Sequence, residues 1–345
     1  MSKRSPVPEE GGVDLPGVYD SETVDAPWFL PGDGVEEESP LFPPAREGRL
    51  VDPETWRMAE AKLVSDLSEL TFDAGRLTER LRVSGTGAVQ RLALEEAAAL
   101  SWWTGDRVGA DLLALWQSYR IGASEEDGEG LIRTAWAARR LMMAATAVGV
   151  QATVGDLLGE AGRGDAILAE DVAMALDGVS GLSPVVRGCA AFHLWRSLDE
   201  RPDHLRGLEA AVLGARLSAG QGGLAFLPLA LTGFGALTAS GAAEVRLAAW
   251  IGGAHRAVFA ALMALDRLAA WRARADAETA DLSGRTPGQL IAVLAAHPML
   301  GAAQAEFETG ASRAAVLRNF DILEARGLVR EVTGQGRFRV WAARM

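Results

Sequence analysis

A chain of 345 residues, 49% hydrophobic and 23% charged, has room for two or three domains with sizeable cores. Its one cysteine, Cys189, excludes an internal disulfide. With only four histidines no structural zinc cluster is expected, and nothing in the sequence calls for a cofactor. The formal net charge of -12 speaks against a nucleic-acid partner only until its distribution is read. Residues 1–60 hold five Lys and Arg against fourteen Asp and Glu, whereas residues 281–345 hold eight Arg against six acids. Attraction to phosphate depends on the local field within about a Debye length, roughly 10 Å.

Residues 1–50 are dense in Pro, Gly and acids and cannot bury enough apolar surface to offset their ordering entropy, so a disordered acidic tail is expected there. Two apolar islands, Ala26-Pro27-Trp28-Phe29-Leu30 and Pro40-Leu41-Phe42-Pro43, are read as packing on the body rather than as a docking motif. The opening MSKRSPVPEEGG lacks an apolar run behind its basic residues, so no secretory leader and a cytoplasmic setting are expected.

Asp52-Pro53-Glu54 is a helix start, because Asp accepts free N–H groups of the first turn and Pro at the first position forfeits no hydrogen bond. From there to residue 280 the apolar spacing is helical. Helices are predicted over Pro53 to Leu70, Ala74 to Val83, Ala88 to Trp103, Val108 to Tyr119, Gly130 to Val148 and Val154 to Ala161. Others follow over Ala166 to Leu176, Pro184 to Leu198, Leu205 to Leu217 and Ala242 to Ala273. Residues 51–280 therefore read as an all-α domain. Between Arg216 and Glu244 there is no charged residue, but glycines and Pro228 interrupt the run, so buried core is expected and no membrane span.

Residues 281–345 read as a small winged helix-turn-helix. Thr286 is expected to cap a helix over Pro287 to Ala296, with Leu290, Ile291 and Leu294 facing a core; His297-Pro298 ends it. A short helix from Gly301 to Glu308 leads through Thr309-Gly310-Ala311 to Ser312, the cap of a third helix over Arg313 to Ala325. Val316, Phe320 and Leu323 are expected inward, leaving Arg313, Arg318 and Asn319 outward at the position whose N-terminal residues would meet base edges. Leu328 to Val332 and Phe338 to Trp341 then flank Thr333-Gly334-Gln335-Gly336-Arg337 as a β-hairpin, the wing. Gln335, Arg337 and Arg339 lie on or beside its tip, suited to phosphates or a minor-groove edge. With Ser312 they complete the candidate DNA-binding set.

The closing run Thr333-Gly-Gln-Gly-Arg337-Phe-Arg339-Val-Trp341, together with Ala99-Leu-Ser101-Trp-Trp103-Thr-Gly105-Asp106-Arg-Val108, resembles a bacterial, plasmid-associated family. Its members join a helical domain of unknown function to a C-terminal helix-turn-helix DNA-binding domain. The helical half of that family is similar to the Fic fold, whose active members use a histidine base in a His-Pro-Phe loop beside a phosphate-holding Gly-Asn-Gly-Arg turn. The corresponding stretch here, His193 to Gly207, lacks both motifs, so the resemblance implies a degenerate, catalytically inactive Fic-like body. His193 and His204 are read as structural or solvated. The pairs Glu95-Glu96 and Glu125-Glu126-Asp127 are read as solvated helix faces or caps, and Trp102, Trp103, Trp116, Trp136, Trp195 and Trp250 as core. The expectation is a DNA-binding transcriptional regulator with double-stranded DNA as partner and a body that supplies a homodimer or protein-partner surface. The alternatives are a diverged Fic-like nucleotidyltransferase or an adaptor.

Overall fold

The structure, a computed structural model, describes residues 51–120, 128–143, 166–198 and 202–345. The expected tail 1–50, the helix over Val154 to Ala161 and the acidic run Glu125 to Asp127 lie outside the described residues. The described part is mainly helical. Asp52 accepts from the N–H groups of Glu54 and Thr55, and α1 runs Pro53–Lys62. The backbone breaks at Leu63, and α2 continues as one helix over Val64–Ser84. The break expected around residues 71–73 is absent because the buried residues Leu67, Leu70, Asp73, Leu77 and Leu81 keep one helical stripe running through it. The Thr71 hydroxyl donates to the Leu67 carbonyl at 2.7 Å, and Asp73 turns inward to His255 at 2.8 Å.

Next come α3 (Thr86–Thr104), α4 (Ala110–Tyr119), α5 (Gly128–Met142), α6 (Ala166–Asp177), α7 (Pro184–Leu198) and α8 (Asp203–Ala219). The Ala99 to Val108 run covers the last turns of α3 and the link to α4. Gly105 ends α3 in the left-handed region, the Ser101 hydroxyl accepts from the Val108 N–H at 3.0 Å, and Asp106 grips Arg133 of α5 at 2.6 Å. Those residues hold a corner of the body together.

The uncharged stretch after Arg216 forms the end of α8, a loop that is exposed at Gln221 to Gly223 and largely buried from Leu224 to Ala230, and a single helical turn, α9 (Gly235–Thr238). Then α10 spans Ala243–Glu278, 36 residues. Among the described residues it is the one helix long and apolar enough to cross a membrane, and half of its most apolar window is buried in this structure. Leu247, Trp250, Ile251, Val258 and Leu262 pack in the core of the body, while Leu268, Trp271 and Ala275 of the same helix pack in a second core with the C-terminal elements.

Those elements are α11 (Thr286–Ala296), β1 (Leu300–Gly301), α12 (Ala302–Thr309), α13 (Arg313–Ala325), β2 (Val329–Glu331) and β3 (Val340–Ala343). Thr286 sits inside α11 rather than capping it. The three strands form an antiparallel sheet in the order β1-β3-β2, with Leu300 opposite Trp341 and Glu331 opposite Trp341 on the other edge. β1 was not expected from the sequence, and the hairpin strands pair one to two residues further from the turn than expected.

The C-terminal elements dock on the body through specific contacts. Arg91 of α3 donates to the carbonyls of Leu294 and His297 at the end of α11. The Tyr119 hydroxyl accepts from the Gly301 N–H at 2.6 Å and donates to Gln304 at 2.9 Å. Arg330 of β2 pairs with Asp111 of α4 at 2.6 Å. The Trp271 indole donates to the Leu328 carbonyl at 2.7 Å, tying α10 to the strand that follows α13.

Candidate nucleic-acid interface

The local chemistry that builds α12 and α13 is simple. Gly310 closes α12 at φ 64, a left-handed conformation that a Cβ would strain. Two residues later the Ser312 hydroxyl accepts from the Ala315 N–H at 3.4 Å and starts α13. Val316, Phe320 and Leu323 are buried at helical spacing, and the Phe320 ring stacks on Trp341 of β3 at 4.1 Å with an interplanar angle of 5°. This stack sets the distance between α13 and the sheet.

The seven candidate residues fall into three groups. Ser312, Arg318, Gln335 and Arg337 are exposed, and neither Arg318 nor Arg337 has an ion-pair partner among the described residues. Arg313 is exposed but pairs with Glu306 of α12 at 3.0 Å. Asn319 and Arg339 are turned away from the expected face. Asn319 is 7% exposed, and its amide donates to the Ala315 carbonyl at 2.7 Å, because it falls on the same helical stripe as Val316, Phe320 and Leu323. Arg339 folds back onto α13, reaching Asp321 at 3.2 Å and Glu324 at 2.9 Å, with its guanidinium 4.8 Å over the Trp341 ring. A buried amide reads no base edge, and a guanidinium held by two carboxylates is no ready phosphate ligand.

Between β2 and β3 the chain is organised by Glu331, whose carboxylate accepts from the N–H groups of Thr333 at 2.9 Å and Gly334 at 2.7 Å and from the Thr333 hydroxyl. Against its partial burial, these donors hold the Glu331 carboxyl below its ordinary value. The tip beyond it carries Gln335, Arg337 and Phe338. Arg313 of α13 and Arg337 of the tip stand on the walls of one groove, so helix and hairpin present their cations to a common space. The residues that sequence reasoning missed here are Asp321 and Glu324, which claim Arg339, and Tyr119, which reaches this region from the body.

Elsewhere, His193 lies inside the body at 9% exposure, edge-on to Phe192 with ring centroids 4.9 Å apart, and its Nε2 has no hydrogen-bond partner among the described residues. Burial, with Arg246 and Arg196 nearby, pulls its pKa down to about 4, so it stays neutral at physiological pH. His204 is exposed. Glu96 is fully buried rather than solvated, accepting from the N–H groups of Leu229 at 2.8 Å and Ala230 at 2.9 Å. Of the tryptophans expected in the core, Trp195 and Trp250 are wholly buried, whereas Trp102 is 55% exposed. Compared with protein-family models the chain matches none, and no curated protein matches it significantly.

Proposed function

We propose that this chain is a DNA-binding protein, a transcriptional regulator, whose elements from α11 to β3 act as a winged helix-turn-helix. In this reading α13 lies in the major groove, and the hairpin tip grips the adjacent backbone or minor groove. One observation carries it: α13, capped by Ser312, and the hairpin tip stand on one groove with Arg313 and Arg337 on its walls, and Arg318 and Arg337 are exposed with no ion-pair partner among the described residues. Arg313 adds a third cation once duplex phosphate competes with Glu306. The helical body is assigned no catalytic role: His193 is buried and neutral, and the sequence has neither the His-Pro-Phe loop nor the Gly-Asn-Gly-Arg turn of Fic chemistry.

The test is retardation of random-sequence and source-genome duplexes by the full chain across a salt series. Binding should weaken with salt, and removing Arg318 and Arg337 together should flatten the slope of log K against log salt by roughly 1 per arginine. Salt-independent retardation, or none at low salt, would sink the regulator.

A further inference from the structure

We infer that the groove under the hairpin is a binding site for a small planar anion of the aromatic carboxylic acid class. The groove has a volume of about 610 Å³, inside the range of roughly 300–1,000 Å³ usual for small-molecule sites. Its apolar surface comes from Leu317 of α13, Ala303 of α12, Phe338 of the hairpin and the ring of Tyr119. A planar ring system is the shape such walls take up.

Charge chooses the rest of the ligand. Four ionised side chains line the groove: Arg313, Asp321, Arg337 and Arg339. Arg313 is answered by Glu306, and Arg339 by Asp321 and Glu324. Arg337 is left without a counter-charge among the described residues. The surplus is one guanidinium, whose fork matches a carboxylate with two parallel hydrogen bonds.

The lip supplies a third reason. Phe338 is 77% exposed and held at φ 59, a backbone conformation that bulky residues rarely adopt. A ring beneath it would cover this surface. The site does not depend on DNA binding, and its test is made without DNA.

Calorimetric titration of the full chain with indole-3-acetate and with 2-naphthoate, against indole-3-acetamide and 2-naphthamide, separates charge from shape. At least one carboxylate should saturate a single site below about 1 mM and bind about tenfold tighter than its amide. Arg337→Ala should erase that tenfold preference, and Ala303→Trp, which puts an indole into the groove from an exposed helix position, should abolish binding. Failure of both carboxylates to saturate, or binding by Ala303→Trp at full strength in a chain with unchanged melting, overturns the proposal. Either result leaves the duplex-retardation test untouched.

Discussion

Glu96 brings a full carboxylate into the interior of the body and meets backbone N–H groups of the uncharged loop there. Burial raises its pKa to about 7, the donors at Leu229 and Ala230 only partly offsetting the loss of water. The folded state therefore holds a proton that the unfolded chain gives up near its ordinary value of 4.5. The contribution is fully present below that value and is lost as pH rises through about 7, a change of a few kcal/mol at most. Glu96→Gln keeps an acceptor oxygen for both N–H groups and stays neutral. Denaturant titrations from pH 5 to pH 8 should show the variant's stability relative to the natural chain rising with pH. A flat difference would contradict this account.

The signal for Glu96 was present in the sequence and under-read: Leu92, Glu96 and Leu100 are spaced by four, so the carboxylate lies on an apolar stripe. Asn319 repeats the lesson between Val316 and Leu323. Arg339 is different, since its partners Asp321 and Glu324 sit 18 and 15 residues away and no local pattern announces them. The two hairpin arginines should consequently separate by experiment. Arg339→Ala should lower stability by about 1 kcal/mol through lost pairing and ring contact, whereas Arg337→Ala should leave the melting temperature unchanged.

At the scale of elements, most helices were legible from their 3.6-residue spacing and capping residues, and α13 was found to the residue because Gly310 and Ser312 mark its entry. Strand β1 was not legible. Two residues carry no alternation, and their pairing with β3 is decided 40 residues away in sequence, at Val340 and Trp341. The seat of α11 on α3 was also hidden. A Cβ at Gly87 would lie 1.7 Å from the Ala296 carbonyl oxygen, so the two backbones approach as only glycine permits. Gly87→Ala must push α11 off its seat and pull Arg91 away from the carbonyls it serves. A loss of about 2 kcal/mol or more is expected in thermal or denaturant unfolding, with faster amide exchange at the end of α11. Unchanged stability would show that this contact is slack.

Over the whole molecule, α10 joins both cores without a break. Leu265 belongs to the first and Leu268 to the second, only three residues on, and all the described residues fall in one compact unit. The boundary expected near residue 281 was drawn where the helix-turn-helix pattern begins, and such a pattern does not record which helix carries the packing. Calorimetry of the natural chain should give one cooperative transition. Arg267→Pro, at an exposed position between the two cores, removes a ladder hydrogen bond and costs about 3 kcal/mol. It should divide the melt into two steps. A single step in the variant would mean that docking through Arg91, Tyr119 and Arg330 suffices to couple the halves.

That continuous rod leaves the terminal elements no tether on which to swivel. If the chain binds DNA as proposed and two copies pair through their bodies, the separation of the two α13 helices is a rigid ruler cut by the body-to-body contact, and a paired site must match it in base pairs. Lengthening such a site by half a helical turn, about 5 bp, would put one copy on the wrong side of the duplex.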